Sequence, residues 1–154
     1  MQRVANCLLR KGDQVLLLKK PRRGWWVAPG GKMEPTETIL ETVCREYREE
    51  TGLILENPTL GGVFTMCMEN EGKRDKEWMM FTFLADSHRG EMLERSPEGE
   101  LCWQPVSHVP SLPTSGMDRQ ILTRLLRPEG ALLIGKLVYS PEEELLSHAW
   151  HHTG

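Results

Sequence analysis

The sequence predicts an α+β fold around a mixed β-sheet, on three observations. Strand-like runs outnumber helical ones, only two segments carry helical spacing, and strands and helices do not alternate regularly. From the N-terminus, residues 3–9 and 14–19 read as strands flanking the turn "RKGD", a first antiparallel hairpin. "KKPRRGWWVAPGGKMEP" (19–35) reads as a long loop with basic and aromatic content. Residues 37–50 form a helix with Ile39, Leu40, Val43 and Tyr47 as its apolar stripe. Thr36 is its expected N-cap, and Gly52 its left-handed terminator with Leu53 packing back.

Strands follow at 59–68 and 77–85, separated by the charged loop "ENEGKRDK". A polar stretch, 86–100, leads to a short strand around "LCWQPV". Residues 118–127 make a second amphipathic helix, and 131–150 a hairpin turning at Pro141. With no linker or repeat visible, residues 1–154 are expected to form a single domain.

A net charge of −3 and a pI near 6.0 give no global positive field, which argues against stable nucleic-acid binding. No apolar run is long enough to span a membrane, and the N-terminus is not a signal peptide. Cys7, Cys44, Cys67 and Cys102 lack metal-like spacing and read as reduced core thiols of a cytoplasmic protein. The C-terminal His148, His151 and His152 read as a frayed chain end. A homodimer is compatible with all of this.

The helix holds the chemistry. Glu46, Glu49 and Glu50 stand at i, i+3 and i+4, within a sector of roughly 100°. Like charges so spaced cost a helix about 0.2–0.5 kcal/mol per pair. Taken alone, they could be a solvated acidic face. A hard divalent cation such as Mg²⁺ reverses that penalty, because it prefers carboxylate and water oxygens and bridges to phosphates. Gly30 and Gly31 let the backbone approach a ligand closely, and Arg45 can pair with Glu37 or orient a catalytic carboxylate.

The full spacing is Gly31-x5-Glu37-x7-Arg45-Glu46-Tyr47-Arg48-Glu49-Glu50-Thr51-Gly52-Leu53. Seven specified letters at ordinary usage coincide by chance about 10⁻⁸ of the time per window. This segment, 31–53, resembles the signature of the Nudix hydrolases, G-x5-E-x7-R-E-U-x-E-E-x-G-U, where U is bulky and aliphatic. Tyr47 departs from the first U position, and Thr36 stands where many members carry glycine.

The resemblance implies an αβα sandwich and hydrolysis of a nucleoside diphosphate linked to another moiety. It implies Mg²⁺, with Mn²⁺ able to substitute, held by Glu46, Glu49, Glu50 and the Gly30 carbonyl. Glu37 and Arg45 would hold the loop to the helix, and Glu49 or Glu46 would deprotonate the attacking water. A further acid usually precedes a tryptophan-bearing strand. Glu98 and Glu100 are the options, with Glu98, five residues before Trp103, preferred.

Arg22, Arg23 and Lys32 flank the glycines and are suited to phosphate. Trp25 could stack on a base, whereas Trp26 matches a structural position of the family. The implied substrate is a nucleoside polyphosphate, with 8-oxo-dGTP cleaved to monophosphate and pyrophosphate as the nearest case. A bacterial relative reads the base with an asparagine in the loop before the last helix. "PSLPTSGMD" has none, which leaves Asn6 as another base contact. A guanosine tetra- or pentaphosphate alarmone is the alternative, and a non-catalytic nucleotide sensor the rival from another class. A P-loop is excluded, since Trp26 and Met33 break its pattern.

Overall fold

The computed structural model describes residues 1–127 and 130–153; residues 128, 129 and 154 of the expected 1–154 domain lie outside them. The strands are β1 (Gln2–Lys11), β2 (Gln14–Lys19), β3 (Trp26–Val27), β4 (Gly30–Lys32), β5 (Ile54–Leu55), β6 (Thr59–Asn70), β7 (Lys73–Ala85), β8 (His88–Arg89), β9 (Glu100–Pro105), β10 (Leu132–Tyr139) and β11 (Leu145–Thr153). The helices are α1 (Ile39–Thr51) and α2 (Gly116–Leu125), with a 3₁₀ turn at Val106–Ser111. The large sheet runs β11-β10-β6-β7-β1-β2-β3, with β4 added to β1 and β9 to β2. β1/β7 and β10/β6 are parallel and the other pairs antiparallel, so the expected mixed sheet is present.

Alternation along β1 divides its side chains between two layers. Ala5, Cys7 and Leu9 pack with Val43 and Tyr47 of α1. Across the sheet Phe64, Met66, Met80, Leu133 and Leu137 pack with Met117 and Ile121 of α2.

Several expectations need correction. The charged loop between β6 and β7 is mostly strand: Glu71 and Gly72, both left-handed, make the tight turn, and Asn70 pairs with Lys73. Leu40 is 46% exposed and lies off the apolar stripe of α1. Cys102 is exposed rather than core. His148, His151 and His152 belong to ordered β11, held by β10, and are not frayed.

The largest local correction is at the start of α1. Thr38, not Thr36, is the N-cap; its hydroxyl accepts from the Glu41 N–H, and Glu41 accepts in return from the Thr38 N–H. This is a complete capping box. Thr36 instead occupies a left-handed conformation at φ 73°. That bend turns the Glu37 carboxylate back into the loop, where it accepts from the Glu34 N–H at 2.8 Å. The C-terminal expectation holds, with Gly52 at φ 81° and its N–H donating to the Arg48 carbonyl.

Candidate active site

The glycine loop becomes β4, which pairs with the N-terminal half of β1: Asn6 opposes Gly30, and Ala5 opposes Gly31. A Cβ built on Gly30 would overlap the Ala5 carbonyl. One built on Gly31 would overlap the Glu46 carboxylate. The two glycines are therefore required for different contacts, one with the sheet and one with the acid helix.

Arg45 fastens loop to helix. Its Nε donates to Glu37 Oε2 at 2.7 Å and its Nη2 to Glu37 Oε1 at 3.0 Å. Thr42 Oγ1 donates to the same carboxylate at 3.0 Å, and Arg45 Nη2 also donates to the Lys32 carbonyl at 3.1 Å. The Arg45 guanidinium lowers the Glu37 pKa to about 2, helped by the Glu34 amide. Glu37 in turn raises that of Arg45. Nη1 of Arg45 reaches Glu46 at 2.8 Å and Glu49 at 3.4 Å.

The three acids are not equivalent. Glu50 is only 5% exposed, on the face that also buries Val43 and Tyr47. Glu46 is mostly buried, while the Glu49 side chain is 56% exposed. Burial first, and the neighbouring Glu46 second, push the Glu50 carboxyl up to about 8. Lys20 and the Gly30 N–H pull it down. Two carboxylates held this close in a buried position disfavour charge on Glu50.

Among the described residues no three His, Cys, Asp or Glu side chains form a ready-made ligand cluster. Arg45 bonds to Glu46 and Glu49, while Glu50 is buried beside Glu46. The donor set nonetheless suits a hard divalent cation, since two carboxylates are held close together beside a backbone that only glycine permits.

The remaining predicted residues divide into three groups. Lys20, the cation acting on Glu50, also pairs with Glu98 at 3.5 Å. Glu98 thus stands on the acid-helix side, while Glu100 opens β9 opposite Lys19. Arg22 and Lys32 are exposed. Arg23 is engaged elsewhere: it pairs with Glu143 at 3.3 Å and lies 4.7 Å over the Trp25 ring. Asn6 is buried with both ends of its amide occupied, accepting from Thr82 Oγ1 at 2.7 Å and donating to Met80 Sδ at 3.6 Å. Trp26 donates its N–H to the Pro113 carbonyl and accepts at its own carbonyl from Thr114 Oγ1.

Across β1 from the acids lies a cavity of about 200 Å³, which sequence reasoning missed apart from Trp25. Met66, Trp78, Met80 and Tyr139 form its floor, while Ser115, Met117 and Asp118 at the start of α2 form one wall. The one local signal was the serine cap before Asp118, whose hydroxyl accepts from the Asp118 N–H at 3.1 Å.

The NUDIX domain family model matches residues 1–125, which include every one of these acids. The chain is a Nudix hydrolase. It is 51% identical over 148 residues to the Nudix hydrolase YvcI of Bacillus subtilis (strain 168), covering 96% of this chain and 93% of that one. The crystal structure of a MutT protein from Bacillus halodurans superposes with a TM-score of 0.93 at 54% identity, covering 97% of both chains. A human relative named 8-oxo-dGDP phosphatase NUDT18 is 36% identical over 116 residues, 70% of this chain and 33% of the human protein.

Nudix hydrolases act on diphosphate linkages of nucleotides and generally need divalent metal. In this Nudix hydrolase the signature's first aliphatic position holds Tyr47, fully buried against the β1 side of the core. Its hydroxyl has no hydrogen-bond partner among the described residues. The ring therefore fills the aliphatic role and brings an unpaired polar atom with it.

Proposed function

We propose that the protein, acting as one domain over 1–154, hydrolyses a nucleoside polyphosphate at a diphosphate linkage in the cytoplasm. Glu46, Glu49, Glu50, the Gly30 carbonyl and Glu98 would hold Mg²⁺ or Mn²⁺. When bound, that cation neutralises phosphate charge and acidifies the attacking water. The observation that carries this reading is the Glu46–Glu50 pair, pressed against a glycine turn and latched by Arg45. A purely structural helix gains nothing from burying two competing acids.

Glu49, the most exposed of the three, is our first choice to take the proton from water, and Glu46 the second. Arg22 and Lys32, both exposed and flanking the glycines in sequence, would meet phosphate oxygens. Because the water must lose a proton, turnover is expected to rise on the alkaline side of neutrality.

An 8-oxo-dGTP-type substrate, cleaved to monophosphate and pyrophosphate, is favoured by the relation to a protein named 8-oxo-dGDP phosphatase. The basic run from Lys19 to Arg23 supports an alarmone with more phosphates as the second reading. The test is a panel of 8-oxo-dGTP, canonical triphosphates, alarmones and ADP-ribose with Mg²⁺, products resolved by ion exchange. Turnover that disappears on chelation and in Glu49→Gln is the expected result. A folded sample that cleaves none of them would leave the nucleotide-sensor reading in its place.

A further inference from the structure

The large sheet finishes differently at its two ends. At one end β3 is two residues long, and the Trp26 N–H is already taken by the Pro113 carbonyl. At the other end β11 runs for nine residues, with β10 as its one strand neighbour among the described residues. Its outer row of backbone N–H and C=O groups therefore faces no strand. Proteins commonly blunt such an edge with charges, proline, a bulge or a covering element. β11 reads LLSHAWHHT, without Asp, Glu, Lys, Arg, Pro or Gly. Its one irregularity skips Leu146 at the strand's start, and residues 147–153 pair with β10 in regular register.

The hairpin that carries this edge is an addition to the family domain. The family model stops at residue 125, and β10 and β11 extend the sheet beyond it. A long uncharged edge invites open-ended strand pairing unless a partner closes it.

The strand is complementary to its own copy. Paired antiparallel about Ala149, it sets Ala149 against Ala149, His148 against Trp150 and Ser147 against His151. Rings oppose rings on one face. On the other, a small residue sits at the axis, flanked by a hydroxyl opposite an imidazole. No charge meets a like charge. The same direction carries His151 and His152 of one copy towards the acid run Glu142–Glu144 of the other, imidazole N–H donors towards carboxylates.

The ring row is already held in place. Arg124 lies 4.4 Å over the Trp150 ring, Phe64 meets it edge-on at 6.1 Å, and Trp150 Nε1 donates to His148 Nδ1 at 2.6 Å. Side chains fixed in advance lose little freedom on association. Leu146, 54% exposed beside the paired stretch, supplies apolar area to bury.

We infer that two copies of this chain join β11 to β11, antiparallel about a two-fold axis at Ala149, into one continuous sheet. The two-fold uses up both edges, so assembly stops at the dimer. β10, β6 and β7 separate β11 from β1 and the glycine turn, so the acids of both copies stay open to substrate. The dimer is independent of which nucleotide is cleaved.

Sedimentation equilibrium over a wide range of protein concentration is expected to show monomer and dimer in reversible exchange, and nothing larger. Ala149→Lys and Ala149→Glu each place like charges face to face at the axis, and each should weaken the dimer at least about tenfold. Circular dichroism checks that both fold, and turnover per chain should match the wild type. Mixed in equal amounts, the two variants should recombine, with native mass spectrometry identifying the mixed dimer. If either variant fails to fold, Ala149→Cys decides: oxidation should link two chains through residue 149, with the wild type and its own four cysteines as the control. A wild type that stays monomeric overturns the proposal, as do oligomers larger than two and a dimer that tolerates both charges. Variants that separate but do not recombine overturn it too, and so does an Ala149→Cys protein that links no more than the wild type.

Discussion

Arg45 grips Glu37 with two nitrogens, Nε at 2.7 Å and Nη2 at 3.0 Å, across the junction between glycine turn and acid helix. Lysine can supply charge there but not two parallel donors. Arg45→Lys is expected to lower kcat about 10- to 100-fold, the usual cost of losing a group that orients ligands. Steady-state kinetics with saturating Mg²⁺ checks it.

The same contact makes a pH prediction. Glu37 is depressed in the folded protein from 4.5 to about 2. Its contribution is therefore fully present above about 4.5 and is lost as pH falls towards 2. The melting-temperature gap between wild type and Glu37→Gln should be constant from pH 7 to 5 and shrink below that. A gap that stays constant down to pH 2.5 contradicts the assignment.

The two loop glycines should fail differently. Gly31→Ala drives a methyl into the Glu46 carboxylate, so activity should fall by at least about 100-fold while the fold persists. Gly30→Ala meets the backbone of β1 and should cost about 1–3 kcal/mol of stability as well. Urea unfolding and turnover, measured on both, separate the two effects.

Tyr47→Phe removes a fully buried hydroxyl that bonds to none of the described residues. A lone buried polar group costs about 1–3 kcal/mol, so this substitution should leave stability unchanged or raise it. A drop of the urea midpoint would mean that the hydroxyl has a partner, such as a bound water.

At the start of α1, Thr38→Ala should cost about 1 kcal/mol by removing the cap. Thr36→Gly should instead stabilise by about 1 kcal/mol, since φ 73° strains any residue with a Cβ. Thermal unfolding of both variants checks the opposite signs.

Spacing along the 31–53 segment was enough to place Glu46, Glu49 and Glu50 on one side of a helix, to offer Glu37 as one partner for Arg45 and to suggest the family. Those are local relations, set by a rotation of 100° per residue and a rise of 1.5 Å. The same spacing could not rank the acids. Glu50 is interior and Glu49 exposed because of what β1 and β4 place against one face of α1 and not the other. The N-cap, by contrast, was written locally and overlooked: Thr38-x-x-Glu41 is a capping box, whereas Thr36 has no acid three residues on.

The cavity at Asp118 was beyond reach for a related reason. It gathers Trp25, Met66, Trp78, Asp118 and Tyr139 from segments far apart in the chain. Nothing in a linear pattern records that β6, β7 and β10 lie side by side beneath α2. Chemistry written within one helical turn is visible in the letters, whereas burial and the walls of a pocket arise when distant strands meet.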